Sequence, residues 1–279
     1  MEKNIIVVQN VFNDFDLTNQ SILSMRKAAH RWECDFHELS YFKYPNSPSN
    51  IFWDRNWVCQ NFSTYDKVLI LDPDIIINST APNLFKELEN FDIAVSKDGN
   101  PGNRFKDPNQ LKNSIVKTIA HIDNSVEIFQ NNIPNFNYEK YWEGYFNNGV
   151  VLFNPKSLSK IIQYQEQLIL NNRFLYQYLL LETPFNVQNL FNAVISSSNL
   201  KIKYLDFKWN WLLPNMGGWD GFPLDQFDPN TGELVEWESK KIPPDYTDNF
   251  YKGKMHPYIY HFCGTDSAKD ELKIYDRWK

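Results

Sequence analysis

Short β-branched runs alternate with helically spaced apolar positions through the first third of the chain. Residues 4–11, NIIVVQNV, form a brief apolar run bounded by polar residues, which predicts a buried strand rather than a helix. Over residues 18–32, Ile22, Leu23, Met25, Ala28 and Ala29 recur at mostly helical spacing behind Thr18 as a cap, so a crossover helix is expected. Residues 34–39 predict a second strand, residues 51–62 a helix that turns Trp53, Trp57 and Val58 inward, and residues 67–71 a third strand ending in carboxylates. This order predicts a parallel α/β sheet, in which ligands gather at the carboxyl ends of the strands. The first half therefore reads as nucleotide-binding.

Residues 92–96 predict a further strand. Residues 97–141 are rich in Asn, Asp, Pro and Lys, carry one helical patch at 111–122, and read as a variable excursion. Strands at 145–153 and 201–205 and helices at 158–170 and 187–195 follow. Beyond Trp209 the chain is aromatic and turn-rich, with GGWDGF at 217–222, and it closes on the apolar YIYHF at 258–262. There is no internal repeat or linker, so a single domain is expected.

Composition narrows the partners. With 279 residues, 42% hydrophobic and 16% aromatic, the chain can bury a large core. A net charge of -6 without a long basic run argues against nucleic acid, whose phosphates demand clustered Lys and Arg. Cys34, Cys59 and Cys263 lack the spacing of a zinc knuckle or a disulfide framework and fit a reducing compartment. The start offers only four consecutive apolar residues, and no stretch reaches membrane-spanning length, so a cytoplasmic location is expected.

The chemistry concentrates at two places. Asp72-Pro73-Asp74 leaves the strand Val68, Leu69, Ile70, Leu71 at its carboxyl end. In extended backbone, residues two apart project to one side, so both carboxylates can offer oxygen to a hard cation such as Mn²⁺ or Mg²⁺, which commonly bridges to substrate phosphates. The tripeptide by itself reads more readily as an Asp-Pro turn that ends a strand. His261 arrives at the end of an apolar run, either as a hydrogen-bonded structural residue or as a ligand beside carboxylates. Gly264, Thr265, Ser267 and Lys269 follow it, the residue types expected where backbone approaches a pyrophosphate and a cation balances it.

Taken in order, DKVLILDPDIII (residues 66–77), YFNNGVVLFNP (145–155), NVQNLFNAV (186–194) and HFCG (261–264) resemble family 8 glycosyltransferases of the GT-A fold. The resemblance implies a Rossmann-like mixed sheet flanked by helices in one domain. Residues 1–100 would form its nucleotide-binding half, 101–144 the excursion, and 145–279 an acceptor-side half with a metal-binding carboxy-terminal loop. Asp72 and Asp74 match the family's Asp-x-Asp metal motif and His261 its carboxy-terminal ligand. Lys269 resembles the phosphate-contacting Lys, although it stands five residues after Gly264, farther than the family's usual spacing. Asn147, in Asn147-Asn148-Gly149, would line a sugar pocket, unless these residues form an Asn-Gly hairpin turn. Val8, Asn10 and Gly264 complete the expected donor contacts. Gln188 matches the amide beneath the anomeric carbon in retaining members, whereas Val187 replaces an acid that bonds sugar hydroxyls.

The implied activity is transfer of a hexose from a UDP-sugar to a glycan or other hydroxyl acceptor, with Mn²⁺ or Mg²⁺ as cofactor and retention of configuration. Gln188 and Asn147 are then the expected catalytic residues. An inverting enzyme would instead need a carboxylate base, for which Asp98 or Asp220 is available. Trp209, Trp211, Trp219 and Phe222 offer either faces for acceptor sugars or core packing. Two other readings compete. A nucleotidyltransferase would need a Gly-rich loop after the first strand, and VVQNVFNDFD has no Gly. A non-catalytic glycan-binding module is hinted at only by Val187.

Overall fold

The computed structural model describes residues 2–9, 16–39, 58–97, 122–172, 175, 186–212 and 258–261. Its main sheet is built from β1 (Asn4–Gln9), β2 (Asp35–Leu39), β3 (Lys67–Leu71), β5 (Ile93–Lys97), β6 (Phe146–Phe153) and β7 (Ile202–Leu205), in the order β2-β1-β3-β6-β5-β7. The short β4 (Ile75–Ile77) intervenes between β3 and β5 in sequence and belongs to a second sheet. β1 is parallel to β2 and β3, and β5 is parallel to β7. β6 is antiparallel to both of its neighbours, β3 and β5. The expected parallel order therefore holds for β1, β2 and β3, and the sheet as a whole is mixed. Because β6 alone is reversed, its beginning meets the carboxyl end of β3.

Pleating divides the apolar residues between two faces. Ile6, Val8, Leu69, Leu71, Ala94, Val150 and Leu152 turn to one face, where α1 (Asp16–Arg31) buries Ile22, Met25, Ala28 and Ala29 against them. Ile5, Val7, Val68, Ile70, Val95, Val151 and Phe153 turn to the other. They meet Leu158 and Ile162 of α4 (Pro155–Asn171) and Phe191 and Ile195 of α5 (Asn186–Ser196). The opposite side of α5, with Leu190, Ala193 and Val194, packs on Phe129 of α2 (Ile122–Asn132) and Tyr141 of α3 (Tyr138–Glu143). Residues 188–195 are all buried. At about 1.5–3 kcal/mol per buried large side chain, Phe191 and Leu190 clamp α5 between two layers, so the polar residues it carries are held in fixed positions.

The second sheet is β4-β9-β8, with β8 at Trp211–Leu212 and β9 at Ile259–His261. β9 is the strand that the apolar run before His261 predicts, whereas β4 and β8 are too short to leave a periodic signal and the sequence pattern missed them. Two buried serines of α1 hold β4 in place: Ser21 Oγ donates to the Ile75 carbonyl, and Ser24 Oγ accepts from Ile77 N at 3.0 Å.

Several boundaries move for local reasons. α1 starts at Asp16, so Thr18 lies inside the helix and is not its cap. α4 begins at Pro155 because the Asn154 side chain accepts from Lys156 N and Ser157 N, a cap followed by Pro at the first helical position. The expected excursion contains α2 and α3, while residues 111–121 lie outside the described residues. Asn147-Asn148-Gly149 sits within β6 rather than in a hairpin turn. Trp209 is core, 3% exposed and packed on Tyr258 with the ring centroids 4.7 Å apart and the planes tilted by 54°. Cys34 is a free thiol. Among the described residues, no helix is long and apolar enough to cross a membrane.

Candidate metal centre

β3 stays buried through Leu71, and the chain then leaves the sheet edge through Asp72-Pro73-Asp74 into β4. Asp72 N donates to Gly149 O at 2.9 Å, which ties this turn to the beginning of β6. β4 pairs antiparallel with β9 so that Ile75 stands opposite His261, one residue beyond Asp74. Two segments far apart in sequence are thereby brought to one point. His261 Nε2 lies 3.3 Å from Asp74 Oδ1 and 3.6 Å from Asp72 Oδ2.

The three side chains fit a hard divalent cation. Their ligand atoms lie within 4.8 Å of one another. Two carboxylate oxygens and one imidazole nitrogen form a donor set that Mn²⁺ accepts readily. Asp74 Oδ1 is a buried oxygen without a hydrogen-bond partner, the kind of group that a bound cation would satisfy. Burial acts to raise the Asp74 carboxyl, but the adjacent His261 ring outweighs this and holds it below the usual carboxylate range. The imidazole is deeply buried at 3% side-chain exposure, while the carboxylates, at 41% and 32%, open outward. One side of the cluster thus remains accessible to oxygen ligands from a substrate.

A chain of amides runs inward from the imidazole. His261 Nδ1 is 2.9 Å from Asn210 Oδ1, and Asn210 Nδ2 donates to Asn147 Oδ1 at 3.0 Å. Asn147 Oδ1 also accepts from Gly149 N at 2.8 Å. Gln188 Oε1 accepts from Asn148 N at 3.1 Å and lies 3.5 Å from Asn147 Nδ2, while its Nε2 donates to Tyr145 OH at 3.0 Å. Tyr145 OH in turn donates to Asn189 Oδ1. Asn192 grips the backbone of Phe146 from both sides, accepting from its N at 2.8 Å and donating to its carbonyl at 2.9 Å. One turn of α5 thereby fixes the first residues of β6.

Asp72, Asp74, His261, Asn147 and Gln188, all expected from the sequence, are thus connected by hydrogen bonds or short polar contacts. Val8 is 0% exposed, packed in the core under α1 near the carboxyl end of β1. Asn10, Asp98, Asp220, Gly264, Lys269, Trp219 and Phe222 lie outside the described residues, as do the side chains of Val187 and Trp211. Sequence reasoning missed Asn210, and it placed Tyr145 and Asn192 in motifs without giving them a role, because hydrogen-bond partners distant in sequence leave no local signal. Asn210, a polar residue between Trp209 and Trp211, was the one visible hint.

No family model matches the chain, and no curated protein matches its sequence. Solved structures do. The bifunctional glycosyltransferase WbbM in its apo form matches 99% of this chain at a TM-score of 0.57 and 15% identity. The chain spans about half of WbbM, 52% of its length. A glycosyltransferase involved in glycosylation of the major capsid of PBCV-1 matches 98% of each chain, with a TM-score of 0.52 and 12% identity. The fold is that of GT-A-like glycosyltransferases.

Proposed function

We propose that this chain is a metal-dependent glycosyltransferase of the family 8 kind, transferring a hexose from a UDP-linked donor to a glycan or other hydroxyl acceptor with retention. The observation that carries this reading is the convergence of Asp72, Asp74 and His261 at the carboxyl edge of β3, in a fold shared with glycosyltransferases. Asp72, Asp74 and His261 would hold Mn²⁺ or Mg²⁺, and the ion would supply Lewis-acid stabilisation of the charge that a leaving diphosphate acquires.

The chain's own residues define the rest. Gln188 and Asn147 present amides beside the metal ligands, held by Asn148, Tyr145 and Asn210. An amide so restrained can steady a developing oxocarbenium-like centre without reorganising, and among the described residues these positions carry amides in place of a carboxylate nucleophile. Gly264 and Lys269 complete the reading as phosphate contacts, and Asn10 as a further donor contact. A cytoplasmic location belongs to the same proposal.

Purified protein incubated with Mn²⁺ and a panel of nucleotide sugars is expected to release nucleoside diphosphate slowly, fastest with one UDP-sugar, and faster still once a suitable acceptor is added. Release that is absent across the panel, with and without Mn²⁺ and glycan acceptors, would overturn the reading. Glycan binding without turnover would point instead to a binding module.

A further inference from the structure

We propose that Asn210 is the positioning residue that sets the tautomer of His261, leaving Nε2 unprotonated toward Asp72 and Asp74. This role rests on the metal-centre reading above.

The argument begins at a group whose polarity is fixed. The backbone N–H of Gly149 can only donate, and it donates to Asn147 Oδ1 at 2.8 Å. That atom is therefore the carbonyl oxygen of the Asn147 amide. Asn210 approaches the same oxygen at 3.0 Å and must present its NH₂ there. Its own oxygen then faces the other way, 2.9 Å from His261 Nδ1. A carbonyl oxygen only accepts, so Nδ1 carries the proton, and in a neutral ring Nε2 keeps the lone pair. Nε2 is the nitrogen that faces the two carboxylates, at 3.3 and 3.6 Å. Turning the Asn210 amide over would set two acceptor oxygens against each other at Asn147, whose Oδ1 is fixed as an acceptor by Gly149 N.

Burial makes this arrangement decisive. Asn210 is 1% exposed and His261 2% exposed, so bulk water cannot readily substitute for a lost partner. Histidines that bind metals are commonly oriented by a hydrogen bond at the other ring nitrogen, and Asn210 supplies one here. The same amide ties His261 to Asn147, so the ion ligands and the proposed sugar-facing amides share one hydrogen-bonded framework.

The test uses the full chain without metal, at a pH where the ring is neutral. Long-range ¹H–¹⁵N correlation spectra of His261 are compared with Mn²⁺ affinity from electron paramagnetic resonance. Wild type is expected to show the Nδ1–H tautomer. Asn210→Ala should mix the tautomers and weaken Mn²⁺ binding by roughly 10–100-fold. Asn210→Asp gives up the donor to Asn147 Oδ1 but keeps an acceptor opposite Nδ1–H, and should preserve the tautomer. A wild-type ring protonated at Nε2 would overturn the role, a reading that holds even if Asn210→Ala fails to fold. So would a folded Asn210→Ala with unchanged tautomer and affinity within about threefold. Wild type that binds no Mn²⁺ would overturn the metal centre itself, and this role with it. A wrong tautomer with normal Mn²⁺ binding overturns the positioning role alone.

Discussion

The α-carbon of Gly149 lies against the imidazole of His261 so closely that a Cβ there would stand 2.1 Å from Cε1 and 2.6 Å from Nδ1. Real carbon contacts never approach so near, and the ring has little room to retreat, because Asn210 holds one edge and the pairing of β4 with β9 fixes its backbone. Gly149 thus acts as a spacer for a metal ligand.

Gly149→Ala is accordingly expected to fold with the ring displaced, and to lose Mn²⁺ affinity by roughly 10–100-fold, the cost typical of disturbing a ligand's support. Calorimetric titration of wild type and variant, with circular dichroism as the folding control, measures this. Equal affinities would show that the ring does not serve the ion.

Replacing both Asp72 and Asp74 with Asn should leave the fold intact and remove metal-dependent stabilisation. At Mn²⁺ about a hundredfold above its dissociation constant, wild type should gain about 2.7 kcal/mol against urea. The double variant should gain nothing. A persistent gain would place the ion elsewhere.

Asn192→Leu tests the junction between α5 and β6. The variant strips partners from the backbone N–H and carbonyl of Phe146, itself only 1% exposed. Leaving these buried groups unpaired should cost about 2–4 kcal/mol in chemical denaturation. A loss below about 1 kcal/mol would mean that water replaces the amide.

How much of this was legible beforehand depends on the range of the forces involved. β3 was predicted at its true bounds because its apolar run ends sharply at Asp72, and α5 was found because its apolar residues repeat at helical spacing. The carboxylates, His261, Gln188 and Asn147 were visible as ordered motifs. Asn210 was not, since its role exists only when residues 147 and 261 are brought to it by β6 and β9. Trp209 stood open between an acceptor face and the core, and its burial at 3% exposure with the ring packed on Tyr258 assigns it to the core.

Alkaline pH offers an independent check on burial beside β2. Burial, reinforced by the charge of Asp35 and only partly offset by a backbone hydrogen bond from Ile6, pushes the Cys34 thiol from 9.0 up to about 12. Desolvation and the hydrogen bond to Asp35 push Tyr65 from 10.0 up to about 12. Both protons are held more tightly in the folded chain, so their stabilisation is complete below the unfolded values and disappears as pH climbs toward 12. Urea midpoints should be insensitive to these groups below pH 9 and fall between pH 9 and 12. Alkylation of Cys34 in the native protein at pH 8 should be slow compared with the unfolded chain. Rapid native labelling would contradict this.

The pairing of Ile75 with His261 has a consequence for biosynthesis. One strand of that pair is synthesised early and the other only after most of the remaining chain. A nascent polypeptide on the ribosome can fold β1, β2 and β3 and display the acidic turn, yet it has no imidazole to add. Closing so long a loop carries an entropic cost that grows only slowly with length, and an ion captured between the two strands would act as a reversible crosslink. Metal capture would then report that the last described strand has docked, so a chain truncated before residue 258 should bind the ion no better than an isolated pair of aspartates.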